Sequence, residues 1–316
     1  MHSAALHGPQ VLRWKTAWLA IYIAACATLF LNPLRELFRL SISTDTYSHI
    51  LVIPLISICM IYVERETILQ RIGSTSRFAA PLFSIGILFY ALSGKFGLPI
   101  SADASLALAI LGFLFLIWSG FYWVFGSRAF CAGLFPLLFL LLMVPLPESV
   151  IDRFIVWLQW GSGDVTSWIF HATGTPVVRD GLFFTLPSVT IEIAKECSGI
   201  RSATALLITC LAASYLLLRL PWTRAVLLFA TIPVLILKNG IRITTLTLLA
   251  IHVDHGFLDG RLHHQGGVVF FAVGLLMLLP ILWWLQRIER NRFGPQPPAH
   301  GRVEVSRKVV PERIGN

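Results

Sequence analysis

Charge is what this chain has least of. Only 13% of its 316 residues are Asp, Glu, Lys or Arg, about half the share of an ordinary soluble domain. Apolar side chains take up the difference, with 56% of residues hydrophobic and a mean hydropathy of +0.76. A water-soluble globule of this length cannot enclose so much apolar surface in one or two cores. That excludes a soluble enzyme, a disordered chain and a nucleic-acid-binding module. Acidic residues are scarcest, 16 against 25 basic, leaving a net charge of +9. In a chain of this composition a basic surplus reports cytoplasmic loops rather than a nucleic-acid partner. A disulfide framework is missing too, because the five cysteines are odd in number and lie mostly inside apolar runs. No internal repeat is evident, which argues against a transporter built from two halves.

A membrane-spanning helix needs about 20 apolar residues. Eight stretches qualify: 16–32, 48–63, 78–98, 104–125, 129–146, 200–218, 224–250 and 266–286. The fold class expected is an all-α integral membrane protein of about eight transmembrane helices. The second stretch is short and the seventh long, with Pro233 placed to kink it. With the N-terminus inside, segments 1–15, 63–77, 126–128, 219–224 and 287–316 are inner and hold 15 Lys/Arg against 5 Asp/Glu. The outer segments hold 8 against 11, and Lys238 and Arg242 fall within a span. The inverted topology would put 15 cations outside, against the positive-inside tendency. Residues 1–15 then form a cytoplasmic N-terminus, 16–286 a polytopic membrane domain, and 287–316 a basic cytoplasmic tail with the Pro-rich stretch Pro295–Pro298. Ile23-Ala24-Ala25-Cys26 imitates a lipoprotein signal, but the apolar run continues to Leu31, as in an uncleaved span.

The one long outer segment is 147–198. Val150–Phe170 mixes Trp157, Trp160 and Trp168 with Asp152, Arg153 and Asp164, which suits a helix at the membrane interface. Val177–Phe184 carries Asp180-Gly181, a hairpin signal. Val189–Ile193 alternates apolar and polar with period two, as a half-buried strand does. This small β cap runs directly into Glu196-Cys197-Ser198-Gly199 at the mouth of the sixth span.

Depth arithmetic singles out three residues. A helix rises about 1.5 Å per residue through a hydrocarbon core of about 30 Å. Counted from inner cations, Cys197 lies about 33 Å from Arg219, Arg242 about 27 Å from Arg224, and His263 about 36 Å from Arg287. A thiol, a guanidinium and an imidazole from three spans thus reach the outer boundary together. Cys26, Cys131 and Cys210 read as small core hydrophobes. Cys197 reads either as another or as a reactive thiol, since nearby Lys195 and Arg201 and a helix start favour the thiolate. Arg242 either snorkels to the headgroups or faces a cavity or partner. Asn239 shares its helix face at i, i+3, placed either to orient the guanidinium or to contact a peptide group. His252, His255, His263 and His264, with Asp254 and Asp259, cluster in the last outer loop. A metal site is the minor reading of that cluster, because no His-Glu-x-x-His helix is present.

Glu196-Cys197-Ser198-Gly199-Ile200-Arg201, then Asn239-Gly240-Ile241-Arg242, then His263-x-x-x-Gly267-x-x-Phe270 resemble the exosortase/archaeosortase family in order and spacing. Asp45-x-Tyr47-Ser48-His49 is a weaker fourth match, with Ile50 where the family often has glycine. The resemblance implies a membrane-embedded cysteine transpeptidase without cofactor or metal. Its substrates would be exported proteins ending in a short motif such as Pro-Glu-Pro, a hydrophobic span and a basic end. By the motifs, Cys197 would be the nucleophile, Arg242 the transition-state stabiliser and His263 the acid/base. Glu196, Ser198, Arg201, Asn239 and His49 would support or bind substrate. The archaeal branch tends to carry arginine in place of His263, so the resemblance favours the bacterial branch. It would sit in the inner membrane with both termini cytoplasmic, the active site outside, and lipids as its surroundings. Two other classes remain open from sequence. One is a non-catalytic factor for exopolysaccharide export or assembly using the outer loop. The other is a metal-dependent hydrolase using His252, His255 and His263.

Overall fold

The structure is a computed structural model that describes residues 9–73, 78–94, 100–195, 199–254, 256 and 267–294. The chain divides into two compact units, one running to Pro147 and the other beginning at Glu148.

The first unit opens with helix α1 (Pro9–Leu29), which turns by 80° at Phe30 into the amphipathic α2 (Leu31–Ser43). Phe30 is fully buried at this corner, with its ring 4.3 Å from that of Tyr90 and 5.5 Å from that of Phe113. A 3₁₀ turn (Asp45–Leu51) leads into α3 (Ile53–Val63) and α4 (Arg65–Gln70). Next come α5 (Ala79–Leu92) and α6 (Ala102–Phe125), which pack backbone to backbone. A Cβ on Gly112 would lie 2.7 Å from the Gly86 carbonyl oxygen, so only glycine permits this approach. Small residues at the crossing are the usual way apolar helices associate in lipid, where no hydrophobic gain separates partner from solvent. Helices α7 (Ser127–Ala132) and α8 (Leu134–Phe139), with a 3₁₀ turn (Leu140–Met143), close the unit.

The second unit contains α9 (Glu148–Ala172), a three-stranded antiparallel sheet, and the helices α10 (Ile200–Leu217), α11 (Pro221–His252) and α12 (Gly267–Phe293). The strands β1 (Val178–Asp180), β2 (Phe183–Thr185) and β3 (Thr190–Glu192) follow chain order. Asp180 pairs with Phe183, which leaves Gly181-Leu182 as the two-residue loop. Gly181 takes φ +62° at its first position, where a primed hairpin turn requires glycine.

Among the described residues, five helical segments are long and apolar enough to cross a membrane: Thr46–Val63, α6, α10, α11 and α12. The count rises to seven if α1 with α2, and the Leu134–Met143 segment with α9, each form one broken span. An all-α membrane protein with a small sheet agrees with the sequence expectation; a set of eight unbroken spans does not follow. In the described part of the stretch 78–98 the helix is the 14 residues of α5, which ends at Leu92, two residues before Gly94 with φ +151°. The stretch 129–146 breaks at Gly133 into short pieces. Windowed hydropathy registers apolar content and is blind to these glycine breaks.

The turn between α10 and α11 is held by a buried carboxylate. Glu289 of α12, 1% exposed, accepts hydrogen bonds from the backbone N–H groups of Arg219 (2.9 Å) and Leu220 (2.9 Å) and from the Thr223 hydroxyl (2.6 Å). It serves as the N-terminal cap that Leu220, at the cap position, cannot supply. The guanidinium of Arg224 donates to the Leu218 carbonyl (2.9 Å) and covers the last turn of α10. An anion at one helix start and a cation at the neighbouring helix end both complement the macrodipoles. A Glu289→Gln variant is expected to lose about 2 kcal/mol of stability, because buried N–H donors lose their charged acceptor. The unfolding midpoint in detergent reads this, and an unchanged midpoint would contradict the capping role.

Candidate active site

The approach to the cysteine motif is anchored before it begins. Arg179 of β1 reaches Asp164 of α9 at 2.7 Å and donates to the Gly181 carbonyl at 2.9 Å. Its guanidinium also lies over the Trp160 and Phe184 rings. Phe170, Phe184, Leu186, Ile193 and Ile243 form a buried cluster that joins the sheet to α9 and α11. Past β3, the Gln159 side-chain amide donates to the Ile193 carbonyl at 2.6 Å, and Lys195 pairs with Asp152 at 2.9 Å. The chain is therefore tied to α9 at two points just before Glu196.

On the other side of the motif, Gly199 opens α10. It is buried and adopts φ +69°, a left-handed conformation that costs other residues about 1–2 kcal/mol. A Cβ there would lie 2.5 Å from the Asn239 Oδ1. Both backbone conformation and space thus require glycine in the Glu-Cys-Ser-Gly run. Asn239 is 1% exposed, and its amide donates to the Ser162 hydroxyl of α9 at 2.9 Å. Gly240 beside it brings α11 against Val165 and the Ser162 carbonyl.

Two cations share this part of α11. Arg242 is 7% exposed and Lys238 is 0% exposed. The Lys238 ammonium donates to the Ser202 hydroxyl, which donates onward to the Gly199 carbonyl at 3.1 Å. Its aliphatic stem runs beside Gly274 of α12. An arginine buried among helices in a bilayer is costly and calls for a partner, which favours a facing site over simple snorkelling.

Of the residues singled out in sequence, Asn239, Arg242 and Gly199 lie at one end of the α10–α11 pair, and Arg201 is exposed on the first turn of α10. His49 belongs to the first unit, with its Nδ1 3.1 Å from the Thr46 carbonyl oxygen. His252 is exposed at the end of α11. Glu196, Cys197, Ser198, His255, His263 and His264 lie outside the described residues. Sequence reasoning passed over Gln159, Ser162 and Ser202, although Gln159, Ser162 and Thr166 form a polar stripe at helical spacing on an otherwise apolar face of α9. All three are buried.

The Gly199 contact can be separated from its backbone strain. Gly174 has nearly the same φ, +68°, but open space around its Cβ position. Gly174→Ala is expected to cost only the backbone term of about 1–2 kcal/mol, and Gly199→Ala at least about 1 kcal/mol more. Unfolding midpoints in detergent compare the two, and equal losses would refute a tight packing of Asn239 on the turn.

The family model described as transmembrane exosortase matches residues 41–280. No curated protein and no solved structure matches the chain. The matched region takes in α3 to α11, the Gly199 turn and most of α12. Covering about three quarters of the sequence, it shows that this multi-pass membrane protein belongs to the transmembrane exosortase family.

Proposed function

We propose that the protein is a membrane-embedded cysteine protease/transpeptidase that cleaves the C-terminal sorting signals of exported proteins at the outer face of the bacterial inner membrane. The observation that carries this reading is the buried Arg242, three residues from an Asn239 that packs on the Gly199 turn, two residues after Cys197 in the chain. Family membership supports it. In the same reading both termini are cytoplasmic, the chain crosses the membrane about eight times, and the three-stranded sheet caps the outer face.

Peptide cleavage needs a nucleophile, stabilisation of the developing oxyanion and a proton for the leaving amine. The Cys197 thiolate attacks the scissile carbonyl and forms the C–S bond. Arg242 holds the oxyanion, strengthened by the low-dielectric surroundings. Collapse breaks the C–N bond, and the amine leaves with a proton from the His263 imidazolium. The neutral imidazole then takes a proton from the acceptor, whether water, lipid or glycan, which attacks the thioester and returns the thiolate. Glu196, Ser198, Arg201, Asn239 and His49 support the site or the substrate. The substrate is an exported protein whose C-terminus carries a short motif of the Pro-Glu-Pro kind, an apolar helix and a basic end. Its helix lies beside the spans, with its cations at the inner leaflet.

In membranes supplied with such a substrate, Cys197→Ala is expected to abolish processing. Arg242→Lys is expected to lower kcat/KM at least about a hundredfold, with membrane abundance unchanged. A thioester-linked peptide on Cys197, found by mass spectrometry, would identify the cleavage motif. Continued processing by Cys197→Ala would overturn the reading. Activity lost to a chelator but not to a thiol alkylating agent would point instead to a metal hydrolase using His252, His255 and His263.

A further inference from the structure

α2 leaves α1 at an angle of 80° and is built unlike the helices that span. Its 13 residues reach about 20 Å, too short for a hydrocarbon core of about 30 Å. The 21 residues of α1 reach about 32 Å and need no second half to cross. Spans tilt by about 20° from the bilayer normal, so the bend leaves α2 within about 30° of the membrane plane. α2 also carries Arg35, Glu36 and Arg39 in close succession, and all three are exposed. Within the hydrocarbon such charges would be costly; at its surface they are not.

The side chains of α2 sort into three sides. Leu37 and Ser41 are buried, where α2 packs on the 3₁₀ turn Asp45–Leu51 and on α6. The Ser41 hydroxyl donates to the Tyr47 carbonyl at 3.3 Å, and Leu34 packs on the cluster of Cys26, Phe30, Phe113 and Leu116. Leu31, Phe38 and Ile42 fall within about 40° of one another around the axis, about 100° from the buried side, and all three are exposed. Asn32, Glu36, Arg39 and Ser43 lie about 110° round in the other direction and are exposed as well. Arg35 falls on the border between the apolar stripe and this polar side. One side thus meets protein, one suits acyl chains and one suits water. An apolar stripe with a basic polar flank is the build of a helix that lies in the membrane interface.

The two arginines say what the polar flank meets. Neither has an ion-pair or hydrogen-bond partner among the described residues. Their position beside the apolar stripe is the level of lipid phosphates when the stripe is in the acyl chains. The planar guanidinium matches phosphate oxygens two at a time, and its apolar stem can follow the stripe. We propose that α2 lies flat in the membrane interface, with Leu31, Phe38 and Ile42 among the acyl chains and Arg35 and Arg39 holding the headgroup phosphate of an anionic phospholipid. The corner at Phe30, packed on Tyr90 and Phe113, fixes the angle at which α2 is laid down.

The test places the photoreactive residue p-benzoylphenylalanine at Phe38, Ile42 or Glu36 of the full-length protein. Each form is reconstituted in vesicles of phosphatidylcholine and phosphatidylglycerol, illuminated, and its adducts identified by mass spectrometry. Positions 38 and 42 are expected to capture phospholipid and position 36 not. Among the adducts at position 42, phosphatidylglycerol is expected to exceed its share of the vesicle by about fivefold, from arginine–anionic-lipid attraction. Arg35→Gln with Arg39→Gln is expected to abolish that excess, and Arg35→Lys with Arg39→Lys to keep most of it. Protein-only adducts at positions 38 and 42, or equal lipid capture at position 36, overturn the flat placement. An absent excess, or one unchanged in the double Gln variant, overturns the anionic-lipid site. Should the double Gln variant fail to fold, high salt is expected to erase the excess by screening, and an excess that persists overturns the site instead. No substrate enters the measurement, so its outcome is separate from whether Cys197→Ala still processes one.

Discussion

The clasp of Glu289 on the α10–α11 turn sets the register of three helices. α11 and α12 run antiparallel, and Glu289 meets Thr223 at one end while Gly274 lies against Lys238 at the other. Both pairs of contacts are separated by the same number of residues along their helices, so the far contact follows from the near one. Helical rise carries the clasp about 22 Å to the level of the site. Ser202 and Lys238 sit nearly equally far from the same turn, which brings hydroxyl and amine together. A carboxylate at one boundary of the unit thereby helps decide what meets at the other.

The other side of the site depends on a second system. α9 contributes two hydrogen-bonding side chains, Gln159 and Ser162, one turn apart on its buried face. The first holds the strand that enters the cysteine motif, and the second holds Asn239 of α11. Buried polar groups require partners, so each bond tolerates little displacement. The sheet, too small to be stable alone, is fixed by its apolar cluster and by Arg179. The motif is thus bracketed between two fixed points, Lys195 and Gly199, on separately anchored elements.

Much of this was legible in the sequence. α6, α10, α11 and α12 stand out because their apolar runs are continuous and long enough to cross. The hairpin is marked by Asp180-Gly181, although Asp180 closes the ladder and the loop begins at Gly181. What stayed hidden depends on contacts distant in sequence or on single glycines. Glu289 counts as one more inner acid until Thr223 is seen beside it. The corner at Phe30 lies inside an apolar run, and its cause is packing against Tyr90 and Phe113. Ser202 is unremarkable in composition and matters only because Lys238 ends on it. The motif residues Asn239 and Arg242 were found because polar side chains inside apolar helices are few.

The short link between α10 and α11 bears on how the protein is made. A lysine and an arginine within an apolar segment add to the cost of inserting it alone. α11 carries both, but only three residues separate it from α10. The two helices form a hairpin in which Ser202 meets Lys238 and Arg224 closes the shared turn. The buried lysine of α11 therefore comes packaged with its hydroxyl partner on the helix that precedes it.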